Sequence, residues 1–217
     1  MAGSKLCAWI FVNGELAAPE RLKARLQGGD ALFAADGGQR HLARMGLRPQ
    51  WVIGDLDSVS AEEIRRLEAS GVGLERYPVD KDETDLELAV NRVVKEGFGA
   101  IRIAGGLGGR LDQTLGNLFL LQRADLNGLD VRLEDGDEEV FLIRRRGEIS
   151  GAPGDTVSLL PLNGPATGVT TAGLKYPLNA ETLYPEKTRG ISNVLLGETA
   201  VVSIESGTLI CIHSRTE

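Results

Sequence analysis

The sequence predicts two domains: an N-terminal three-layer α/β domain with a mostly parallel sheet, and a C-terminal all-β sandwich or partly open barrel. Up to about residue 134, apolar runs of strand length alternate with helical patterns, which is typical of βαβ units. After residue 135 the helical period disappears, and short runs rich in Val, Ile, Leu and Thr alternate with Gly, Pro and Asn. The acidic segment 134–139 separates the two patterns. We therefore expect an α/β domain over residues 1–134 and an all-β domain over residues 135–217.

The elements of the first domain can be read in order. Its predicted strands are residues 6–12, 31–35, 51–53, 73–77, 101–104 and 131–133. Two of the intervening helices have clear starts, because Ser60 and Thr84 are each followed three residues later by a glutamate, Glu63 and Glu87. This spacing predicts capping boxes, in which a hydroxyl and a carboxylate satisfy free backbone N–H groups reciprocally. In the second domain the clearest strands are predicted at residues 156–160, 168–171, 200–204 and 208–213.

Composition and charge exclude several classes of protein. Hydrophobic residues make up 42% of the chain and charged residues 25%, which argues against a disordered or coiled-coil protein. The formal net charge is −7 and the basic residues are scattered, so a nucleic-acid backbone would be repelled. The tightest basic run, residues 144–146, follows an apolar strand and is predicted to lead into solvent. We expect no nucleic-acid partner.

Location is predicted from features that the sequence lacks. The N-terminus has no basic region followed by an apolar run of signal length, and no stretch approaches the roughly 18 apolar residues of a membrane span. We expect no membrane partner and a cytoplasmic protein. The two cysteines, Cys7 and Cys211, are too few for a disulfide framework and are predicted to be small core residues.

Polar or glycine clusters follow five consecutive strands of the predicted parallel sheet. They are Asn13-Gly14, Asp36-Gly37-Gly38, residues 54–58, residues 80–85 and residues 105–112. Ligands of open parallel sheets bind beyond the carboxyl ends of the strands, so these clusters are expected to converge on one site. Taken alone, a cluster such as Asp36-Gly37-Gly38 is better explained as a turn.

The third cluster indicates a cation. Asp55 and Asp57 lie two residues apart directly after the apolar run Trp51-Val52-Ile53, and like charges held this closely favour a shared cation. Hard divalent ions take oxygen ligands of this kind. Asp85 adds a carboxylate at the first turn of a predicted helix, although helix capping is the better explanation of Asp85 by itself.

The glycine run 105–109 is predicted to bring backbone N–H groups close to a phosphate, with Arg110 supplying a positive charge. The run lacks the Lys and Ser/Thr of a P-loop and the spaced glycines of a dinucleotide fingerprint. A flexible loop before a helix start is its alternative explanation. Neither His41 nor His213 belongs to a recognisable nucleophile and base arrangement, and both are predicted to be surface or packing residues.

Taken together and in this order, the motifs closely resemble those of the thiamine pyrophosphokinase family. The matching segments are residues 35–38, 53–58, 80–85 and 108–112, with Asn117 one helical stretch further on, and residues 173–178 and 190–193 in the second domain. The likeness covers nearly the whole chain. One departure is Gln113, where bacterial members often have His, and we expect little consequence because the roles carried over belong to Arg110 and Asp112.

The resemblance implies an α/β catalytic domain, a β domain that contributes to thiamine binding, and a homodimer whose active sites lie between subunits. It implies that magnesium is held by Asp55, Asp57 and Asp85. It implies that the nucleotide and its phosphates are surrounded by Asp36, Lys81, Thr84, Gly109, Arg110, Asp112 and Asn117. It implies that thiamine is faced by Ser192 and Asn193.

The reaction implied is attack of the thiamine hydroxyl on the β-phosphorus of ATP, with AMP as the leaving group and magnesium as the cofactor. We expect Lys81 and Arg110 to stabilise the charge that develops as the bond to AMP breaks. Either Asp57 or Asp85 could accept the proton of the hydroxyl, and the sequence leaves the choice open.

Two alternatives belong to other classes. Asp55-Leu56-Asp57-Ser58-Val59 is similar to the nucleophile motif of haloacid-dehalogenase-type phosphatases, in which the first aspartate is phosphorylated. That motif belongs on the first strand, whereas here two strand-and-helix units precede it, and the glycine and arginine cluster would be unexplained. A non-catalytic sensor of magnesium-nucleotide or thiamine is the second alternative, which product formation at catalytic rates would exclude.

Overall fold

The computed structural model describes residues 6–57 and 59–216. Residues 1–5 and Ser58 of the third strand-end motif lie outside the described residues. By its contacts the chain divides into two compact units, the first ending at Gly136 and the second beginning at Asp137. No helix within the described residues is both long and apolar enough to span a lipid bilayer.

The first unit is a parallel sheet with helical connections. Its strands are β1 Cys7–Phe11, β2 Ala31–Ala35, β3 Trp51–Gly54, β4 Gly73–Arg76, β5 Ala100–Ala104 and β6 Asp130–Glu134. Its helices are α1 Pro19–Arg25, α2 Gln39–Arg44, α3 Ala61–Ala69, α4 Asp85–Glu96 and α5 Leu111–Leu120. The strand order is β6-β5-β1-β2-β3-β4, and each neighbouring pair is parallel. The predicted fold class of this part of the chain is confirmed.

Helices lie on both faces of this sheet. Alternate residues of a strand point to opposite faces, and on one face Trp9 and Phe11 of β1 cluster with Leu22 of α1 and Leu42 of α2. Helix α4 packs on β1, β2 and β3 through its own apolar face, where Val90 is fully buried. Helices on both faces give the three predicted layers and leave the carboxyl ends of the strands open for ligands.

The predicted helix starts differ in detail. At α3 the capping box is complete, because the Ser60 side chain accepts from the Glu63 N–H and the Glu63 carboxylate accepts from the Ser60 N–H. At α4 the Thr84 hydroxyl accepts from the Glu87 N–H at 3.2 Å. The reciprocal bond, from the Thr84 N–H to the Glu87 carboxylate, is not found among the described residues. Asp85 is therefore the first helical residue and Thr84 the cap, so Asp85 is available for other contacts.

The second unit is a β-sandwich. Its strands are β7 Glu138–Ile143, β8 Arg146–Ser150, β9 Thr156–Pro161, β10 Ala166–Ala172, β11 Glu181–Leu183, β12 Asn193–Val194, β13 Thr199–Ser203 and β14 Leu209–Ser214. One antiparallel sheet has the order β12-β9-β14-β7 and the other β11-β10-β13-β8. Their buried residues, among them Ile149, Leu159 and Val202, form one apolar cluster that includes Cys211. Of the basic run, Arg144 and Arg145 form the bend between β7 and β8, and Arg146 begins β8. Arg145 and Arg146 are exposed, in agreement with the prediction that the run leads into solvent.

A buried polar network links two strands of the sandwich, β7 and β14, with Asp155, the residue directly before β9. His213 of β14 is fully buried, with Nδ1 3.0 Å from Glu139 Oε1 and Nε2 2.8 Å from Asp155 Oδ2. Burial alone raises the pKa of Asp155, but hydrogen bonds from the N–H groups of Ala152 and Thr216 and from His213 outweigh it and lower that pKa to about 2. His213 is thus a satisfied core residue, in agreement with the prediction that it packs.

Candidate active site

A cleft of about 540 Å³ lies at the carboxyl ends of the parallel strands of the first unit. Its walls come from the loop after β1, the segment before α4 and the loop after β5. The predicted site residues that line it are Lys81, Thr84, Asp85, Gly109, Arg110 and Asn117, together with Asn13 and Gly14. The volume is in the range of small-molecule sites. Asp36, Asp55, Asp57 and Asp112 are not among the lining residues.

Four carboxylates gather where β2 and β3 end. Within the described residues, Asp36, Asp55 and Asp57 each present one oxygen, and these oxygens lie within 4.8 Å of one another. Oδ1 of Asp36 is buried and has no hydrogen-bond partner in the described part of the chain. Asp85 approaches from α4. The resemblance implied that Asp36 lies near the nucleotide, and the structure places it beside Asp55 and Asp57.

Two residues with left-handed backbone conformation set the positions of these carboxylates. Asp36 has φ 43° and Leu56 has φ 61°, and a bulky side chain adopts this conformation rarely, at a cost on the order of 1 kcal/mol. Leu56 is nevertheless buried in the apolar cluster of the sheet, which retains the strained turn. The turn lets Asp55 Oδ1 accept from the Asp57 N–H at 3.1 Å, so the two acidic residues are held on either side of a buried leucine.

Gly54 allows Asp36 and Asp85 to approach each other. Its φ is 146°, a conformation that side-chain-bearing residues rarely adopt. A Cβ atom at this position would lie 3.0 Å from Cγ of Asp85 and 3.2 Å from Cβ of Asp36. The glycine that ends β3 therefore makes room for carboxylates on both sides.

Lys81 is the cation that pairs with the carboxylates. Its Nζ lies 2.9 Å from Asp85 Oδ1 and 3.5 Å from Asp55 Oδ2, and it donates to the carbonyl of Pro78 at 3.3 Å. Burial lowers the pKa of Lys81, but the two carboxylates outweigh it, and the net shift is upward. Lys81 is thus a held, protonated ammonium group at the wall of the cleft.

The pKa values of the carboxyl groups reflect their mutual repulsion. The charge of Asp55, followed by burial and the charges of Asp36 and Asp85, raises the pKa of Asp57. Burial raises the pKa of Asp85 despite Lys81, with Asp55 and Asp36 adding to the rise. The Asp57 N–H bond, followed by Lys81, lowers the pKa of Asp55. One ammonium group does not offset four carboxylates, so a hard divalent cation fits this all-oxygen set of ligands.

Helix α5 holds the glycine-rich loop. Asn117 donates to the carbonyl of Gly106 at 2.9 Å, and the Thr114 hydroxyl donates to the carbonyl of Gly108 at 3.1 Å. Both bonds direct loop carbonyls toward the helix. Arg110, which precedes α5, is exposed and forms a two-point ion pair with Asp112 at 2.6 and 3.1 Å. Its guanidinium is oriented at the mouth of the cleft and reachable from solvent.

The two predicted thiamine residues lie in the second unit. Ser192 is exposed and has φ 56°, and its N–H donates to the Ser158 hydroxyl at 3.0 Å. Asn193 is buried, and its amide bonds both backbone groups of Tyr176, at 2.9 and 2.7 Å. The Asn193 side chain therefore holds the Tyr176 segment, while Ser192 remains available for a ligand.

Comparison with known proteins gives a consistent result. Residues 22–133 match the family profile described as "Thiamin pyrophosphokinase, catalytic domain" and residues 142–210 match "Thiamin pyrophosphokinase, vitamin B1 binding domain". The thiamine pyrophosphokinase of Bacillus subtilis is 32% identical over 185 residues, which cover 84% of this chain and 86% of that protein.

Solved structures agree in fold. The crystal structure of thiamine pyrophosphokinase from Bacillus subtilis superposes with a TM-score of 0.86 at 27% identity, covering 97% of this chain and all of that one. The enzyme from Geobacillus thermodenitrificans gives 0.84 at 26% identity, covering 98% and 99%. Both domain profiles and a relative above 30% identity match, and with them the resemblance read from the motifs is confirmed: the chain belongs to the thiamine pyrophosphokinase family.

Proposed function

We propose that this chain transfers the pyrophosphoryl group of ATP to the hydroxyl of thiamine, giving thiamine diphosphate and AMP. The observation that carries the proposal is the cleft of the first unit, in a member of this family. Lys81, Asp85 and the glycine-rich loop with Arg110 line the cleft, and Lys81 also pairs with Asp55 of the neighbouring carboxylate cluster. The test is an assay of thiamine diphosphate formation from ATP and thiamine. Release of free phosphate without a thiamine ester would contradict it.

Magnesium is the proposed cofactor. The oxygens of Asp36, Asp55 and Asp57 would hold it, with Asp85 alongside, because these carboxylates converge and, within the described residues, one buried Asp36 oxygen has no hydrogen-bond partner. When bound, the ion offsets the charge of phosphate oxygens and so supports attack at phosphorus.

The cationic residues are proposed to act on the phosphates. Lys81 lines the cleft and is held by Asp85 and Asp55, so its charge needs little reorganisation to stabilise an oxygen that becomes negative. Arg110 supplies a second, planar cation that Asp112 orients. Thr84, Gly109 and Asn117 complete the walls around the nucleotide.

Two carboxylates are proposed as acceptors of the hydroxyl proton. The pKa values of Asp57 and Asp85 are both raised, which makes each a stronger base than an ordinary carboxylate. Asp85 lines the cleft, whereas Asp57 is exposed beside Asp55. Since positioning dominates phosphoryl transfer, the proton acceptor is a smaller contribution than the cations.

The second unit is proposed to bind thiamine through Ser192 and the Tyr176 segment that Asn193 holds. This division of labour follows the profile match of residues 142–210.

The chain is proposed to act as a homodimer. Helix α5 buries no residue, and Leu111, Leu115 and Phe119 stand 71%, 42% and 53% exposed at successive intervals of four, on one helix face. An exposed apolar stripe of this kind supports association. The cytoplasmic location stays a prediction of the sequence.

The phosphatase alternative has no support. The Asp55 motif follows β3, the third strand in the chain, and the glycine-rich loop with Arg110 lines the same cleft as Lys81. Acid quench after incubation with labelled ATP would trap an aspartyl phosphate if Asp55 were a nucleophile, and we expect none.

A further inference from the structure

His41 contacts a wall of the cleft from behind. The residue lies in α2, is half-buried and does not line the cleft, yet its Nε2 is 2.8 Å from the carbonyl oxygen of Gly14. A carbonyl oxygen only accepts, so Nε2 carries the proton. Burial lowers the pKa of His41 more than the bond to Gly14 raises it, and Arg44 and Arg40 lower it further. His41 is therefore a neutral imidazole with its proton on Nε2.

The wall that His41 holds is packed directly on the glycine-rich loop. A Cβ atom on Gly14 would lie 2.2 Å from the carbonyl oxygen of Gly105, and one on Gly105 would lie 2.8 Å from the carbonyl oxygen of Val12. The two backbone segments touch without side chains between them. Movement of Gly14 would therefore displace the loop that approaches the phosphates.

Arg40, the neighbour of His41, holds the same wall at a second point. Its Nε donates to the carbonyl of Gly37 at 3.2 Å, in the turn that carries Asp36, and its Nη2 donates to Oδ1 of Asn13. A Cβ atom on Gly37 would lie 2.8 Å from the Asn13 side chain, so this turn and the wall are also in close contact. The first residues of α2 thus connect the ends of β1 and β2 with the loop after β5.

We propose that His41, together with Arg40, is a positioning residue for the nucleotide: it fixes the Asn13–Gly14 wall against the glycine-rich loop and touches no substrate. The inference rests on the proposed function in one respect, that the ligand of the cleft is a nucleoside triphosphate. The inference makes different predictions for the two substrates. Losing the His41 bond should weaken nucleotide binding and leave thiamine binding unchanged.

The test compares three variants of the full chain. His41→Leu removes the hydrogen bond, His41→Gln places an amide N–H near the position of Nε2, and His41→Asn places one near Nδ1. Arg44→Gln, at an exposed position three residues further along the same helix, is the matched control, because it removes a charge near His41 and leaves the bond from His41 to Gly14 in place. The probe is a non-hydrolysable ATP analogue with magnesium, and its affinity is measured by calorimetry alongside thermal unfolding and the KM values for ATP and thiamine.

We expect His41→Leu and His41→Asn to lose about tenfold in analogue affinity, the size expected when a partly buried backbone acceptor loses its donor. His41→Gln should retain affinity within about threefold of the native chain, and the KM for thiamine should stay constant in all variants. The proposal would be overturned if the Gln and Leu variants lost affinity equally. It would also be overturned if the Leu and Asn variants folded and kept the affinity of the native chain. If the native chain binds the analogue but forms no thiamine ester, the proposed function fails while the positioning role stands.

Discussion

Asp85 is the residue at which helix structure and chemistry can be separated. Thr84 supplies the cap of α4, so Asp85 is free to pair with Lys81. We expect Asp85→Asn to fold normally but to lose on the order of 100-fold in kcat, because the amide neither pairs with Lys81 nor holds magnesium well. Initial rates across a magnesium titration, with thermal unfolding, measure both effects. Near-normal turnover at limiting magnesium would show that Asp85 serves the helix alone.

The role of Gly54 in bringing the carboxylates together can also be tested by substitution. Gly54→Ala would place Cβ against Asp85 and Asp36 in an unfavourable conformation, so the carboxylates should separate. Gly71→Ala is the matched control, since Gly71 also has a positive φ, 79°, but a Cβ atom there would meet no other part of the described chain within 4 Å. Both variants should lose about 1 kcal/mol of stability. Only Gly54→Ala should need more magnesium for half-maximal rate, and equal magnesium titrations in both would refute this role of Gly54.

Among the elements, the buried network that joins β7 and β14 to Asp155, the residue before β9, makes stability depend on pH. The pKa of Asp155 is about 2 in the folded chain, below the unfolded value of about 3.9. Because the folded pKa is the lower one, ionised Asp155 stabilises the folded state fully at pH values above the unfolded pKa. This stabilisation is lost as the pH falls through the folded pKa of about 2. Asp155→Asn should therefore destabilise the second unit by about 2 to 3 kcal/mol near neutral pH.

Denaturant unfolding at several pH values measures this difference. The gap between native and variant chains should narrow as the pH falls from 4 toward the folded pKa of about 2. A gap that stays constant over that range would mean that the ionised carboxylate is not what stabilises the network.

The elements also show how far sequence reasoning reaches. Strand positions were predictable because apolar runs and turn residues are local features, and the convergence of strand ends follows from parallel topology. Contacts across space were not predictable by the same means. Asp36 joins Asp55 and Asp57 through a left-handed turn, and the bond from His41 to Gly14 spans 27 positions of sequence. His213 likewise gave no sign of its two carboxylate partners, which are 74 and 58 positions away.

For the whole molecule, the exposed face of α5 makes the homodimer testable. We expect the native chain to sediment as a dimer at micromolar concentration, and Leu115→Arg to shift it toward monomer because a buried unpaired charge is costly in an apolar contact. Analytical ultracentrifugation of both chains measures this. A native monomer with full activity would exclude an active site shared between subunits.

The identity of the phosphates that are transferred from ATP to thiamine tests the proposed function most directly. The chain has no P-loop, and it belongs to a family named for pyrophosphate transfer. The decisive measurement uses ATP labelled separately in its β- and γ-phosphates, incubated with the protein, magnesium and thiamine, with all products resolved by chromatography. We predict equal amounts of both labels in one thiamine ester, with stoichiometric AMP. Stoichiometric ADP with the γ-label alone in thiamine monophosphate would contradict the account.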